Sequence, residues 1–436
     1  MSFPPAPPSQ IDTATLGEPV YRGSVQYLYA VPDHPAYLVC QTTEAGSVFD
    51  VGSIFHIEGS DISRALFRHA MYTRLAETAT WSRVKTAIEA DANLDAAWKS
   101  ALLSGPLETM LESGARTHHV GMIDAASGAV VSGAVPEHPS TFNVVRRFPV
   151  MKPPQRPLLG GFVFDYAQFH QSDTYVIPLE YIVRFGITSG SSILRKYESM
   201  SEAARRAYEQ ELGIASAMEP WTMLSPPILD LTSKYEPEDR NVSKQEALLM
   251  SGLSGQHFLD TVKMAILGGY AVKDTLDQIG LLLWDLKWEF AVDRESLMFV
   301  DTIDADSFRA TRFLDVDGHR LVIHYNKQAM RDYYRIIHAD WYAGVNAAKA
   351  EAKRTGEPFK QILKAGQQNG IYPNTPAVEP EFLALQGRKA ELIRRHLVEP
   401  DAAAEISALL EACGHEEIAF YRAHDRLDAL VKVNAV

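Results

Sequence analysis

The spacing of hydrophobic residues divides the chain into stretches of different character. VQYLYAV (25–31) and AYLVCQTT (36–43) are runs of aromatic and β-branched residues on either side of a turn, PDHP (32–35). They predict a hairpin near the start of an antiparallel sheet. Across 61–104 the period lengthens, and Ile62, Leu66, Phe67, Met71 and Leu75 fall near i, i+4 spacing, which predicts a helix with one apolar stripe. Short strands are expected over 117–150. An irregular inserted loop is expected over 151–172, which holds three prolines, and a strand over 174–187. SEAARRAYEQELG (201–213) reads as a helix stopped by Gly213. Residues 221–243, with three prolines of their own, read as loop. Ser243 with Gln245 and Glu246 then starts a helix. A long helix follows over 256–279, then strands over 281–292 and 297–303. From 326 onward the pattern is helical, over 327–354, 358–368, 378–397 and 401–432. The expected class is α+β, a two-domain fold with antiparallel sheets. Its parts are a flexible lead (1–18), a β-rich nucleotide-binding-type domain (19–175), a mixed domain (176–335) and a helical C-terminal extension (336–436).

The stretch LLLWDLKWEFAVDRESLMFVDTIDADSFR (281–309) carries the most chemistry. Side chains alternate faces in a strand. Asp285, Lys287 and Glu289 therefore share one face, and Trp284, Leu286, Trp288 and Phe290 share the other. A turn near Asp293–Ser296, centred on Glu295, sets Glu289 opposite Asp301 with Cβ atoms ~5 Å apart. Like charges so placed repel unless a cation lies between them. Two carboxylates around a gap suit Mg²⁺, a hard ion that prefers oxygen ligands and often carries substrate phosphates. The plainer alternative is a solvated polar face with salt bridges from Lys287. Arg184, ahead of the Gly/Ser turn GITSGSS (186–192), is a candidate anion contact, as are Arg309 and Arg331. Each of them alone also suits a surface salt bridge.

Charge narrows the partners. Forty-two basic against 55 acidic residues give a net charge of −13. That argues against nucleic acid, whose phosphates need a basic surface. MSFPPAPPSQ at the N-terminus has neither the charged nor the apolar region of a signal peptide. Apolar runs such as 264–272 fall short of the ~20 residues of a membrane span. A cytoplasmic location with no membrane partner is expected. Cys40 and Cys413 lie in segments of different character and are expected as thiols. There is no GxxxxGK(S/T) loop, no GxGxxG after a strand, no HExxH and no zinc-type Cys/His spacing.

Seven segments in order carry a resemblance: YRGSVQYLYAV (21–31), SVFDVGS (47–53), VIPLEYIVR (176–184) with SGSS after it, TSKYEPEDRNVS (232–243), WDLKWEF (284–290), VDTIDADSFR (300–309) and NKQAMRDY (326–333). They are similar to successive motifs of the SAICAR synthetase family, from about Tyr21 to Tyr334. The resemblance implies an ATP- and Mg²⁺-dependent carbon–nitrogen ligase. Such an enzyme activates a carboxylate on a phosphoribosyl heterocycle, an imidazole ribotide or a relative, as an acyl phosphate. It then joins that group to an amine, aspartate or a different one. By position, the resemblance implies Glu289 and Asp301 as metal ligands, and Asp285, Lys287 and Lys234 as catalytic residues. Arg184, Ser191, Asp306, Arg309, Lys327 and Arg331 would hold the ribotide and its carboxylate. Gly23, Ser24, Gln26 and Glu180 would border the nucleotide.

The departures from the family pattern are specific. Ser24 and Gln26 stand where the family has two cations aimed at the ATP phosphates. Glu44-Ala45-Gly46-Ser47 replaces a polar segment on the amino-acid side, and Gly59-Ser60-Asp61 replaces a G-K-G turn. Thr302 stands for an acid, Phe308 for a serine, and Glu238-Asp239-Arg240-Asn241 for an H-D-E-N quartet. Arg22, Arg64 and Arg240 are candidate replacements for the missing cations. Three readings follow: a ligase of this family with a changed partner, an authentic SAICAR synthetase with drifted loops, or a catalytically weak paralogue that binds a nucleotide or a protein. The helices beyond 340 are expected to pack on the chain's own core or to join copies of the chain.

Overall fold

The computed structural model describes residues 5–214, 217–237 and 239–436. Residues 1–4 of the expected lead and Glu238 of the acidic quartet lie outside the described residues. A six-stranded antiparallel sheet, ordered β1-β2-β3-β8-β6-β7, organises the N-terminal part. β2 (Gln26–Ala30) and β3 (Tyr37–Thr42) are the expected hairpin, with Leu28 opposite Cys40, and β1 (Tyr21–Arg22) flanks β2. β4 (Ala45–Ser47) and β5 (Ser53–His56) form a small separate hairpin. Helices α1 (Ser60–Ala76), α2 (Thr78–Ala90), α3 (Ala96–Leu102) and α4 (Pro106–Ser113) follow. α1 buries Leu66, Phe67, Met71 and Leu75 of the expected stripe, while Ile62 is exposed. β6 (His119–Ile123), β7 (Val130–Val131) and β8 (Phe142–Arg146) complete the sheet.

The expectation of an irregular loop over 151–172 is corrected. β9 (Gln155–Leu158) pairs with β10 (Gly161–Phe164) as an isolated hairpin. Both strands are edges, so Pro157 leaves no central ladder bond unmade.

The second sheet has eight antiparallel strands, ordered β14-β13-β12-β15-β17-β18, with β11 and β16 also paired to β15. β11 (Thr174–Val176) and β12 (Leu179–Ile187) split the expected 174–187 strand at Ile177-Pro178. α5 (Ser192–Glu198) and α6 (Glu202–Leu212) come next, and α6 stops at Gly213 with φ 75° as expected. The loop expected over 221–243 is overturned by β13 (Thr222–Ser233), a twelve-residue strand between β12 and β14 (Asn241–Val242). Its prolines, including the cis Ser225-Pro226 bond, sit where the pairing with β12 shifts between Arg184 and Gly186. A bulge needs no ladder donor there, so proline is tolerated inside a long strand.

α7 (Lys244–Ser251) starts at Ser243, whose side chain accepts a bond from the Glu246 N–H. α8 (Gly255–Asp277) then crosses the apolar face of the sheet. A Cβ on Gly268 would meet the Phe299 ring at 2.8 Å, so glycine there lets the helix backbone approach the strands. β15 (Leu282–Asp293) and β16 (Ser296–Val300) form the expected acidic hairpin. β17 (Phe308–Val316) and β18 (His319–His324) fill a stretch that the hydrophobic spacing left unassigned.

Six helices follow: α9 (Gln328–Ile337), α10 (Ala339–Thr355), α11 (Phe359–Gln368), α12 (Pro380–Val398), α13 (Ala403–Ala423) and α14 (Leu427–Asn434). They pack on the chain's own core, with α12 on α1 and α13, α13 on β17, and α14 on β18. Cys40 and Cys413 are free, buried thiols. Among the described residues no helix is long and apolar enough to cross a membrane.

Candidate active site

Between the two sheets lies a cleft of about 510 Å³. Gln26 and Cys40 border it on one side, Arg147 and Lys152 leave β8 beside it, and Lys234, Glu289 and Asp301 face it from the second sheet.

The hairpin register differs from the expected one by a residue. Glu289 pairs with Val300, because Asp293 pairs with Ser296 around a two-residue turn. A regular strand would then send Asp301 to the opposite face. Asp301 instead has φ 65°, and this left-handed backbone turns its side chain back toward Glu289. The predicted pairing of carboxylates therefore survives through a different local geometry. The Tyr72 hydroxyl, 2.9 Å from the Asp301 carbonyl and 3.0 Å from that of Val300, fixes this corner to α1.

Two lysines hold the acids together. Lys287 Nζ lies 2.7 Å from Glu180 Oε1, 2.9 Å from Glu289 Oε1 and 3.7 Å from Asp301 Oδ2. Lys234 also donates to Glu289 and lies 3.7 Å from Glu180. Glu289 is buried, and burial first, then the Asp301 charge, pushes its carboxyl up to about 7 against the pull of the lysines. For Asp301 burial acts the same way, but Lys287 and Lys234 outweigh it and hold the carboxyl well below the usual range. Burial alone would lower Lys287, yet Glu289, Asp301 and Glu180 drive it well above its ordinary value.

Beside the cleft, α1 and the turn after β16 form two rungs of ion pairs. Arg64 Nη1 meets Asp306 Oδ2 at 2.9 Å, and Arg68 Nη2 meets Asp304 Oδ2 at 3.1 Å. Arg68 also donates to Cys40 Sγ at 3.1 Å. Arg64 and Arg68 are i, i+4 in SRALFRHA, a helical spacing that marks both for one face. Arg64 thus serves a different task from the one its sequence suggests, and Arg68, Tyr72, Arg147 and Lys152 join the site without any motif in the sequence to mark them.

A second group forms around Asp285. Its Oδ2 lies 3.1 Å from Arg184 Nη1 and 3.3 Å from Arg309 Nη1. Arg184 is buried and also pairs with Asp230 at 2.9 Å, and it reaches Ser191 Oγ at 3.4 Å. Its charge is thus occupied by two carboxylates. Arg309 donates to Thr188 Oγ1 at 2.7 Å.

Lys327 and Arg331 flank the same region at the start of α9. Among the described residues neither has a carboxylate within 4.0 Å, and Arg331 donates only to Gln328, at 3.2 Å. Burial lowers both, Lys327 against the attraction of Asp306 and Arg331 with help from Arg309. Gly23 and Ser24 lie in the β1–β2 turn, where the Gly23 N–H bonds the Gln26 carbonyl at 2.8 Å.

The proposed replacements for the missing cations are corrected. Arg22 pairs with Glu18 on the surface, Arg64 with Asp306, and Arg240 with Glu236 and Glu246. None of the three lines the cleft. Arg147 and Lys152 do.

Comparison with known proteins supplies the family. The sequence model of SAICAR synthetase matches residues 107–348, more than half of the chain. A protein of Archaeoglobus fulgidus, provisionally named a phosphoribosylaminoimidazole-succinocarboxamide synthase, is 29% identical over 60% of this chain and 74% of its own length. The synthase of Thermoplasma volcanium is 31% identical over 38% of this chain and 54% of its own length. The crystallised SAICAR synthase of Saccharomyces cerevisiae, complexed with SAICAR, covers 89% of this chain and 97% of its own at 16% identity, with a TM-score of 0.45. From the extent of the sequence match, the chain belongs to the SAICAR synthetase family.

Proposed function

We propose that this chain is an amide-forming ligase that uses ATP to convert a carboxylate on a phosphoribosyl heterocycle into an acyl phosphate, which an amine then attacks. The observation that carries the reading is the buried Glu289 beside the half-buried Asp301, framed by Lys234, Lys287 and Glu180 at the edge of the cleft. Lys234 and Lys287 relieve this like-charge pair only in part, because burial and the Asp301 charge still hold the Glu289 carboxyl up. Glu289 keeps its proton up to about pH 7 while Asp301 is held ionised, and such a pair suits Mg²⁺, which commonly takes one or two carboxylates and completes its shell with phosphate oxygens. Bound there, Mg²⁺ would neutralise the triphosphate as phosphoryl transfer begins.

The chain's own residues divide the remaining work. Lys234 and Lys287 bring two ammonium groups to the edge of the cleft, and negative charge developing in phosphoryl transfer there would need such fixed donors. Arg147 and Lys152, with no ion pair within 4.0 Å among the described residues, supply charge where Ser24 and Gln26 do not. Arg184 acts as a positioning residue. It holds Asp285 and the turn at Ser191, and Asp285 in turn aims Arg309. Lys327 and Arg331, which have no carboxylate within 4.0 Å among the described residues, suit the anionic groups of the ribotide, with Arg309, held by Asp285, beside them. The names of the matched relatives support the imidazole-carboxylate ribotide as the carboxylate substrate.

The test is ADP release by purified protein with Mg²⁺, ATP, that ribotide and a panel of amines that includes aspartate. Release that requires both ribotide and amine is expected. No release with any amine, together with no calorimetric binding of ATP in the presence of Mg²⁺, would replace this reading with that of a non-catalytic binder.

A further inference from the structure

Three side chains on one face of α1 grip the segment that follows β16. Arg64, Arg68 and Tyr72 stand at i, i+4 and i+8, so they line up along the helix. Their partners run the opposite way along the chain: Asp306 for Arg64, Asp304 for Arg68, and the carbonyls of Val300 and Asp301 for Tyr72. Four residues of helix advance about 6 Å and two residues of chain reach at most about 7 Å, so the contacts stay in step.

The middle contact is the driest ion pair of the three. Arg68 is 2% exposed and Asp304 3%, whereas the Asp306 side chain keeps 29% of its surface. Among the described residues each is the other's only opposite charge within 4.0 Å. Arg68 is steadied from behind, where Nη1 donates to Cys40 Sγ on β3. Asp304 organises the turn it sits in. Its Oδ1 accepts the Asp306 N–H at 2.9 Å, and its own N–H donates to Ser307 Oγ at 2.9 Å. The Ser307 carbonyl accepts the Lys287 N–H at 2.9 Å, which ties the turn to β15. Asp301 lies three residues before Asp304, in left-handed backbone that persists only where its surroundings hold it. Tyr72 holds it from one side and the Arg68–Asp304 pair from the other.

We propose that Arg68 is a positioning residue: through Asp304 it fixes the turn so that Asp301 can take a divalent cation together with Glu289. Arg68 acts through the turn and not by contact with the cation. This rests on the Mg²⁺ reading of the two carboxylates given above.

The experiment reads binding without turnover. Calorimetry gives Kd for a non-hydrolysable ATP analogue with Mg²⁺ and with EDTA, and the ratio is the gain that the metal confers. Urea unfolding is followed on the same proteins. The wild type is expected to gain at least tenfold. Arg68→Lys, which keeps a cation for Asp304, should stay within threefold of the wild-type gain. Arg68→Met leaves Asp304 buried alone, and it should lower the urea midpoint and lose most of the gain. Arg68→Met with Asp304→Asn removes the bare charge. This double variant should recover most of the urea midpoint yet gain less than threefold from Mg²⁺, and it decides the matter if the single variant does not fold. A metal gain that returns together with stability would overturn the inference and leave Arg68 a purely structural residue. A wild type that gains nothing from Mg²⁺ would overturn the metal reading, and this inference with it.

Discussion

Asp301 lies one residue beyond β16 in left-handed backbone, φ 65°, a region in which Asp and Asn are the tolerated side-chain-bearing residues. Asn can keep that backbone, so Asp301→Asn removes the charge and little else. ADP release should fall at least 100-fold while the melting temperature stays within a few degrees. Asp301→Ala should add about 1 kcal/mol of strain, read in urea unfolding. Glu289 supplies a second check. Its carboxyl is held up to about 7, so a metal must displace a proton below that pH. Mg²⁺ affinity should therefore rise from pH 6 to pH 8, with proton release seen as a buffer-dependent heat at pH 6. Affinity that is flat across this range would remove Glu289 from the ligand set.

At the scale of elements, some of the fold was legible and some was not, for identifiable reasons. The α1 stripe, the Gly213 stop, the Ser243 cap and the D-K-E face of β15 could all be read, because each depends on near neighbours in sequence. β13 could not, because its prolines fall in a bulge that only the partner strand reveals. The β15–β16 register was misread by one residue, since a two-residue turn and a three-residue turn differ little in sequence. The carboxylate pair was still found, because both acids flank one short turn. Arg68 escaped notice and Arg64 was assigned another task, since their partners Asp304 and Asp306 are more than 200 positions away. α12 read only as an amphipathic helix, yet it carries a buried ion pair between Lys389 and Glu417. Lys389→Met should cost about 3–5 kcal/mol, because Glu417 is left buried without its cation. Adding Glu417→Gln should recover most of that loss in chemical unfolding. No recovery would mean that Lys389 acts mainly through its bond to the His324 carbonyl.

For the molecule as a whole, buried histidines set its response to acid. Burial holds His118 down to about 4 and His324 to about 3, and it lowers His119 as well. Their contribution to stability is complete above the unfolded value of 6.5 and is lost as pH falls from there through about 4 for His118 and about 3 for His324. For His118 alone the difference amounts to about 3 kcal/mol. Urea midpoints should fall steeply between pH 6.5 and 4, and His118→Gln should flatten that slope. The same architecture joins two sheets across one cleft, with a helical extension closing the far side of the site.

On the proposed reading, a carboxylate is activated by phosphoryl transfer within this cleft. The most direct measurement uses imidazole-carboxylate ribotide labelled with ¹⁸O in its carboxylate, with Mg²⁺, ATP and an accepted amine, and reads the phosphate product by mass spectrometry. One ¹⁸O atom in phosphate for each ADP released is the predicted result. Phosphate free of label would contradict the acyl-phosphate route and with it the account of the site.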